Sequence, residues 1–378
     1  MRTWSRALVP CIAAALLLRP PFAPRDARAQ TPAPETFASR IASLSEPGGY
    51  FDTDNLISNE RSYLHVMPDL AAARLRGGAY IGVGPDQNFS YIAQIRPSVA
   101  FIIDIRRDNL LLHLLFKALF TLARTRVDYL ALLVARPAPG LVAGWDAKPL
   151  EAIVAYVDAA RPLAPADVTA MRARVTATIK TFGVPLSAAD LDTIDRFHRQ
   201  FIAGGLSLQF HTAGRAPQRL YPTYRDLLLE TDRAGQRRSY LASEDDYQFL
   251  KSLEARDLVI PVVGDLSGPS ALVAIGRWLG AHHETLSAFY TSNVEFYLFR
   301  DGTFARFAAN LAKIPHAIGA LLIRSFFDGS VPTLPGYGSA SVTQPVQDLL
   351  DGVARGQVQS YWDLATWQRR GRGEGSSP

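Results

Sequence analysis

The stretch Gly78–Asn109 reads GAYIGVGPDQNFSYIAQIRPSVAFIIDIRRDN and predicts the fold of the chain. It contains two largely apolar runs, Ala79–Val83 and Val99–Ile105, on either side of a segment with apolar residues at helical spacing. Continuous apolar runs are typical of parallel strands that are buried on both faces. The stretch therefore predicts a strand–helix–strand unit in a parallel sheet, in which Pro97 ends the helix.

A glycine-rich turn joins the first predicted strand to the helix. Gly82 and Gly84 lie in this turn, and Asp86 follows at the start of the helix. Glycine lets the backbone approach a ligand closely, and a helix N-terminus offers unpaired N–H groups. The glycines either form a ligand-binding turn, which we favour, or only allow a tight connection.

Asp104 ends the second predicted strand, about 20 residues beyond the glycines. A carboxylate at this position accepts hydrogen bonds from ribose hydroxyl groups in dinucleotide-binding folds. Two alternatives stay open for Asp104: a structural pair with Arg106 or Arg107, or a position facing water.

Three more apolar runs follow in the second half of the chain. Because they alternate with helical patterns, they extend the parallel sheet. We therefore predict an α/β fold with a Rossmann-like, mostly parallel sheet. Residues 328–345 are rich in Gly, Pro and Ser and predict a loop. The predicted strands are Leu258–Val263, Leu286–Thr291 and Ala320–Phe326, with a helix at Ser270–Leu279.

Residues 141–242 lack strand patterns and predict a large helical insertion. A block of about 100 residues exceeds an ordinary crossover connection. We expect it to lie over or beside the sheet, as a cap on the ligand pocket. The predicted helices are 149–160, 165–181, 188–203 and 223–232.

Other helix ends are predicted from capping side chains. The helix after the second strand is predicted to begin at Asp108 or Asn109 and to run to Val134. Serine three residues before aspartate predicts a capping box. Such pairs are Ser187 with Asp190 and Ser243 with Asp246.

Residues 1–29 have the pattern of an export signal. Two arginines precede the apolar run 7–18, and Ala29 ends an A-x-A cleavage site. We expect a periplasmic or secreted protein, cleaved after Ala29. Cleavage removes Cys11, the single cysteine, so we expect no disulfide and no thiolate metal site.

The same leader holds five arginines and one aspartate, and thus most of the formal net charge of +5. The charge is therefore no indication of nucleic-acid binding. Leu110–Ala123 is apolar but short, so we expect no membrane span in the mature chain. The predicted division of the chain is a signal peptide at 1–29, N-terminal helices and the first strand–helix–strand unit at 30–140, the insertion at 141–242, the rest of the sheet domain at 243–367, and a disordered tail at 368–378.

The ends of the other predicted strands carry further candidates, because ligands of parallel sheets bind beyond the carboxyl ends of the strands. Asp265 follows the third strand, and Asn293 and Glu295 follow the fourth. Glu295 is the candidate for a base or an amine-binding group. Alternatively, Asp265 caps a helix before Ser267, and Asn293 closes a turn.

A polar cluster of Asn59, Glu60 and Tyr63 precedes the first strand. It lines the pocket or forms a helix cap with a solvated face, and we favour the second. Ser58 or Asn59 is predicted to cap a helix that runs through Leu64.

The sequence GVGPDQNFSYIA, residues 82–93, resembles the first motif of class I S-adenosylmethionine-dependent methyltransferases. It is also similar to an uncharacterised bacterial protein family with a methyltransferase-like fold. The sequence departs from the motif twice. Gln87 stands at the third glycine position, and Tyr80 stands at the acidic position before the first glycine.

The resemblance implies S-adenosylmethionine as the cofactor and assigns roles at the strand ends. Gly82 and Gly84 flank its methionine portion. Asp104 holds the ribose, and Asp265 meets the adenine amino group. Asn293 lies next to the reacting methyl group.

A methyltransferase-like enzyme acting on a small molecule is therefore our first hypothesis. An exported binding protein that keeps the fold without catalysis is the alternative, favoured by the leader and by Tyr80 and Gln87. A nicotinamide oxidoreductase is third. We predict no metal site, because the histidines lack HxxxH or HExxH spacing. The sequence indicates neither the substrate nor the oligomeric state.

Overall fold

The apolar runs of the sequence form the strands of one six-stranded sheet. Its order is β3-β2-β1-β4-β5-β6, in which the first five strands are parallel and β6 is antiparallel to β5. The predicted α/β class with a mostly parallel sheet is confirmed. The strands are β1 Ala79–Gly82, β2 Val99–Asp104, β3 Val259–Val263, β4 Leu286–Ser292, β5 His316–Phe326 and β6 Ala340–Pro345.

The computed structural model describes residue 1 and residues 35–53, 55–140, 144–212, 220–327 and 329–371. The predicted export signal therefore lies outside the described residues except for residue 1, as does most of the predicted tail. The described residues from 36 onward form one compact unit.

The centre of the sheet is β1, which is buried along its whole length. Ala79 pairs with Val99 on one side and with Leu286 on the other. Because β2 and β3 lie on one side of β1 and β4 and β5 on the other, the strand order reverses between β1 and β4. In open parallel sheets, ligands bind in the crevice beyond the carboxyl ends at such a reversal.

Helices cover the sheet, and most begin where the sequence predicts. The α-helices of the described residues are α1 Phe37–Leu44, α2 Met67–Ala72, α3 Gln87–Ile95, α4 Arg107–Leu122, α5 Arg126–Leu133, α6 Leu150–Ala159, α7 Pro165–Lys180, α8 Ala188–Gly204, α9 Tyr224–Leu228, α10 Glu244–Ala255, α11 Ala271–Ala281, α12 Val294–Arg300, α13 Phe304–Leu311, α14 Val346–Ala354 and α15 Tyr361–Gly371. Short 3₁₀ helices lie at Arg61–Val66 and Gly205–Ser207.

The predicted helix to Val134 is in fact two helices, so that prediction is wrong. Ala123 is extended at the end of α4, and the Thr125 side chain accepts a hydrogen bond from the Asp128 N–H to begin α5. Lys251 Nζ donates to the Ala123 carbonyl oxygen at 2.7 Å. A lysine more than a hundred residues away thus donates to a carbonyl group at the end of α4. No glycine or proline in the sequence marks this end.

The predicted loop at 328–345 contains β6, which the sequence analysis missed. This strand carries polar residues on a buried edge: Ser341 and Gln344 are each at most 1% exposed. Ser341 contacts the hydroxyl groups of Ser62 and Ser325 at 2.9 and 3.0 Å. Its burial rests on these side-chain hydrogen bonds, which an apolar pattern does not reveal.

In the predicted insertion 141–242, the described residues form helices α6–α9 and isolated bridges but no named strand. Helices α7 and α8 pack against α4. The capping box of Ser187 and Asp190 is present. Ser243 accepts from the Asp246 N–H at 3.1 Å, so it also caps its helix.

No helix in the described part of the chain is both long and apolar enough to cross a membrane.

Candidate functional site

A cavity of about 350 Å³ lies beyond the carboxyl ends of β1–β4. Its walls come from the segments that follow these strands, from residues 50–60, and from the end of the helical insertion. The volume falls in the range of small-molecule sites, which is roughly 300–1,000 Å³.

Four of the seven predicted site residues line this cavity. They are Gly84, Asp104, Asp265 and Asn293, which end or follow four different strands. The remaining three, Gly82, Asp86 and Glu295, lie outside the lining and make structural contacts.

Gly84 has a φ of +82°, a conformation that residues with a Cβ rarely adopt. Asn88 holds the turn, because its Nδ2 donates to the carbonyl oxygens of Val83 at 2.9 Å and Pro85 at 2.7 Å. His113 Nε2 lies 2.9 Å from the Gly84 carbonyl oxygen. Burial lowers the pKa of His113 to about 4, so the neutral ring donates through Nε2. Asn88 and His113 thus shape the turn, although the glycine motif indicates neither.

Gly82 has a packing role. A Cβ at this position would overlap Asn88 Oδ1 and lie 2.7 Å from the Tyr80 hydroxyl oxygen. Tyr80 donates a hydrogen bond to Asn88 Oδ1 at 2.7 Å. Gly82 therefore leaves room for this buried hydrogen bond, and the cavity gives no support to its predicted contact with a cofactor.

Asp86 is buried beneath the turn instead of facing the cavity. It accepts hydrogen bonds from the hydroxyl groups of Tyr224 at 2.7 Å and Tyr240 at 3.1 Å. Burial raises the pKa of Asp86 to about 6, although both hydroxyl groups favour the charged form. These contacts tie the start of α3 to the helical insertion, so the predicted cofactor role is unsupported here too.

Asp104 lines the cavity and also forms the structural pair that was its alternative. Arg106 donates to both of its oxygens, at 3.0 Å through Nε and 2.8 Å through Nη2. Arg106 also donates to the Thr53 carbonyl oxygen at 2.7 Å. Arg107, the other candidate partner, pairs with Asp190. Asp104 thus orients an arginine that is hydrogen-bonded to Thr53, another residue of the cavity wall.

Asp265 lines the cavity, and its Oδ1 accepts from the Ser267 N–H at 2.8 Å. The cap of α11 is a different residue, Glu46, which accepts from the Ser270 and Ala271 N–H groups at 3.0 Å. Burial raises the pKa of Glu46, but these hydrogen bonds and one from the Asp265 N–H lower it on balance. The alternative that Asp265 caps the helix is therefore wrong.

Glu295 lies in the core beneath the cavity. It is 0% exposed and accepts two hydrogen bonds from Arg324, at 2.6 and 2.9 Å. Arg324 also donates to Gln344. A carboxylate held in this way lies outside the cavity lining, so the predicted catalytic role of Glu295 is unsupported here.

Glu60 is a further acidic residue on the cavity wall. It is 1% exposed, and it accepts from the Tyr290 hydroxyl at 2.6 Å, the Ser325 hydroxyl at 2.5 Å and the Ser292 hydroxyl. Burial raises the pKa of Glu60, against the effect of the three hydroxyl groups. The expected solvated cap is wrong, because the cluster is buried under the end of the sheet.

Glu60 also precedes the 3₁₀ helix Arg61–Val66. It makes no side-chain cap, while Ser58 Oγ accepts from the Glu60 N–H at 3.0 Å. The predicted cap by Ser58 or Asn59 is therefore wrong. Asn59 lines the cavity, whereas the Tyr63 hydroxyl donates to the Leu227 carbonyl oxygen at 2.9 Å.

Ser292 has a φ of +55°, which is unusual for serine, and it contacts Glu60 from the end of β4. Such backbone strain persists where surrounding contacts enforce it, and it is concentrated at functional sites. Polar side chains in otherwise buried strands, here Tyr290, Ser292 and Ser325, are the sequence signal that could have indicated a buried acidic partner.

No group of three or more potential metal-binding side chains is present among the residues that the structure describes.

A family profile described as Domain of unknown function (DUF7790) matches residues 56–138 and 206–368. These segments make up more than half of the chain, and the chain belongs to this family. They include all six strands and the four predicted residues that line the cavity, but not α6–α8. A search of curated proteins finds no match.

Proposed function

We propose that this family member binds S-adenosylmethionine in the cavity and is a Rossmann-like, methyltransferase-like protein that acts on a small molecule. The observation that carries the proposal is the convergence of Gly84, Asp104 and Asp265 on one cavity from three adjacent strands. A nucleoside needs this combination of a close backbone approach and carboxylates that accept hydrogen bonds from its hydroxyl and amino groups.

The strand order supports the proposal. The order β3-β2-β1-β4-β5-β6 is that of doubly wound dinucleotide-binding sheets, and the cavity lies at the reversal between β1 and β4. The edge strand β6 differs from that pattern in its direction, because it is antiparallel to β5.

The residues present fit the cofactor at two positions. At Gly84, a Cβ would come within 3.2 Å of Gln87 Nε2, so glycine keeps this part of the cavity open. Asp104 Oδ1 already accepts from the backbone N–H and Nε of Arg106, at 2.9 and 3.0 Å, and Oδ2 accepts from Nη2 at 2.8 Å. The second lone pair of Oδ2 can still accept one ribose hydroxyl group.

S-adenosylmethionine supplies a methyl group activated by a positively charged sulfur, so the difficult chemistry belongs to the cofactor. The task of the protein is alignment. Asn293, half-buried on the wall at the end of β4, would position the acceptor of the methyl group.

Thermal stability tests this proposal. Any ligand that binds only the native state raises the melting temperature, so S-adenosylmethionine and S-adenosylhomocysteine should both do so, and NAD should not. Gly84→Val should abolish the shift. Gly319→Val is the matched control, because Gly319 has the same φ of +82° but lies in open space. No shift with either compound in the wild type would refute the proposal.

Ligand binding without methyl transfer is the second candidate. The position of Glu295 favours it, because the predicted base is bound to Arg324 outside the cavity. Transfer of labelled methyl from S-adenosylmethionine to a mixture of small amines and alcohols separates the two. Binding without any labelled product would favour the exported binding protein.

A further inference from the structure

The inner wall of the cavity presents acceptor oxygens. Gln87 Nε2 donates to the Tyr290 hydroxyl at 3.3 Å, and that hydroxyl donates to Glu60 Oε2 at 2.6 Å. Because the tyrosine proton is given to Glu60, the side of Gln87 that faces Tyr290 must be its NH₂ group. The other atom of the amide, Oε1, is then an acceptor.

This Oε1 is buried and receives no hydrogen bond from the residues that the structure describes. Gln87 is 7% exposed and lines the cavity. A buried acceptor without a donor costs free energy, and a ligand that donates a hydrogen bond removes this cost.

Glu60 lines the same cavity, and among the residues that the structure describes its three hydrogen-bond donors are neutral hydroxyl groups. A buried carboxylate normally has a cationic partner. The inner wall therefore has two acceptors. The Glu60 carboxylate has no cationic donor, and Gln87 Oε1 has no donor, among the residues that the structure describes.

The outer part of the cavity is aromatic. Tyr50 is 82% exposed at the mouth, and Phe51 makes an edge-to-face contact with Tyr297 at 5.0 Å between ring centres. Phe210 and Tyr221 also line the cavity. Aromatic edges and faces stabilise a flat apolar group.

We propose that the cavity binds an arylalkylamine, with its ammonium group against Glu60 and Gln87 and its ring among the aromatic side chains at the mouth. An arylalkylamine would be the substrate class of the proposed function. This inference rests on that function, because both use the same cavity. Glu60 contacts β4, whereas Asp104 ends β2, two strands away and hence about 10 Å distant. The ammonium group and the ribose would occupy different sides, with Gly84 and Gln87, which follow β1, between them.

The charges of the lining agree with a cationic ligand. Two arginines belong to the lining that the structure describes, Arg106 and Arg300, and they pair with Asp104 and Asp301. Glu60 and Asp265 are further acidic residues of the described lining. Such carboxylates attract a cation and repel a carboxylate or phosphate ligand.

The test is calorimetric titration of the full chain with three matched probes: phenethylamine, 2-phenylethanol and 3-phenylpropionate. We expect the amine to bind at least about tenfold more tightly than the alcohol, since a charge-assisted hydrogen bond is worth at least ~1.4 kcal/mol. The carboxylate should not bind. Equal affinity for amine and alcohol would overturn the inference.

Glu60→Gln keeps the shape of the side chain and removes its charge, so it should abolish the preference for the amine. Asp301→Asn removes one charge from the same lining and should change the affinity less than about threefold, because Asp301 is exposed. Equal losses in the two variants would overturn the inference. If Glu60→Gln does not fold, Gln87→Leu removes the acceptor without altering Glu60 and should weaken amine binding several-fold.

Titration of the same proteins with S-adenosylhomocysteine separates this inference from the proposed function. Nucleoside binding without amine preference refutes only the arylalkylamine site. Amine preference without nucleoside binding refutes only the methyltransferase-like function.

Discussion

Glu60 and Glu295 are two buried carboxylates close to the end of β4 that differ in their partners. Glu295 receives two hydrogen bonds from Arg324 in the core. Glu60 receives hydrogen bonds from hydroxyl groups and lines a cavity. Arg324 thus balances the charge of Glu295 within the protein. We propose that a cationic ligand in the cavity balances the charge of Glu60. The comparison shows that a position after a strand does not by itself place a carboxylate on the cavity wall, because Glu295 follows β4 and is paired with Arg324 in the core.

Breaking the core pair should give the largest effect. Arg324→Met leaves Glu295 buried without its cation, and Gln344 loses a donor. We expect the free energy of unfolding, measured by urea denaturation at pH 7, to fall by about 3–5 kcal/mol. The double variant Arg324→Met, Glu295→Leu should recover most of this loss, because it removes the uncompensated charge. A loss below about 1 kcal/mol in the single variant would show that Glu295 is not buried as a charge.

Asp86 sharpens the comparison, because it is a buried carboxylate with hydroxyl donors that does not line the cavity. Burial raises its pKa from 3.8 to about 6. The folded state therefore binds this proton more tightly than the unfolded state, and the resulting stability is present below pH 3.8 and lost as the pH rises through 6.

Asp86→Asn removes this titration. Relative to the variant, the wild type should lose about 2 kcal/mol of its free energy of unfolding between pH 4 and pH 7. Tyr224→Phe removes one donor to the charged form and should move the transition to higher pH. A difference that does not change with pH would contradict the assignment.

The parts of the fold that the sequence predicts are those with local patterns. Ala79–Gly82 and Val99–Asp104 are apolar runs buried on both faces, and the turn between β1 and α3 has the glycines that its backbone needs. β6 was missed because its buried residues are polar, and the break before α5 was missed because Lys251 satisfies it from α10.

The site was harder to predict than the fold. Gly84, Asp104, Asp265 and Asn293 were placed on one cavity by the rule that parallel strands end at the same edge. Glu60 has its partners on β4 and β5, more than two hundred residues away, and Glu295 has Arg324. No local pattern encodes such pairings, so the sequence predicts a solvated cap for Glu60 and a place in the site for Glu295, whereas Glu60 is buried on the cavity wall and Glu295 in the core.

Asp104 should give the smallest change in stability, but it tests both of its roles at once. Asp104→Ala removes the partner of Arg106, whose side chain is 7% exposed but keeps its bond to the Thr53 carbonyl oxygen. We expect the free energy of unfolding to fall by about 1–2 kcal/mol. If Asp104 also accepts a ribose hydroxyl group, the affinity for S-adenosylhomocysteine should fall at least about tenfold. Asp108→Ala is the control: Asp108 makes an exposed pair with Arg196 at 3.6 Å, so both quantities should stay almost constant. Lower stability with unchanged affinity would limit Asp104 to holding Arg106, and a nucleoside site would then have to rest on Gly84 and Asp265.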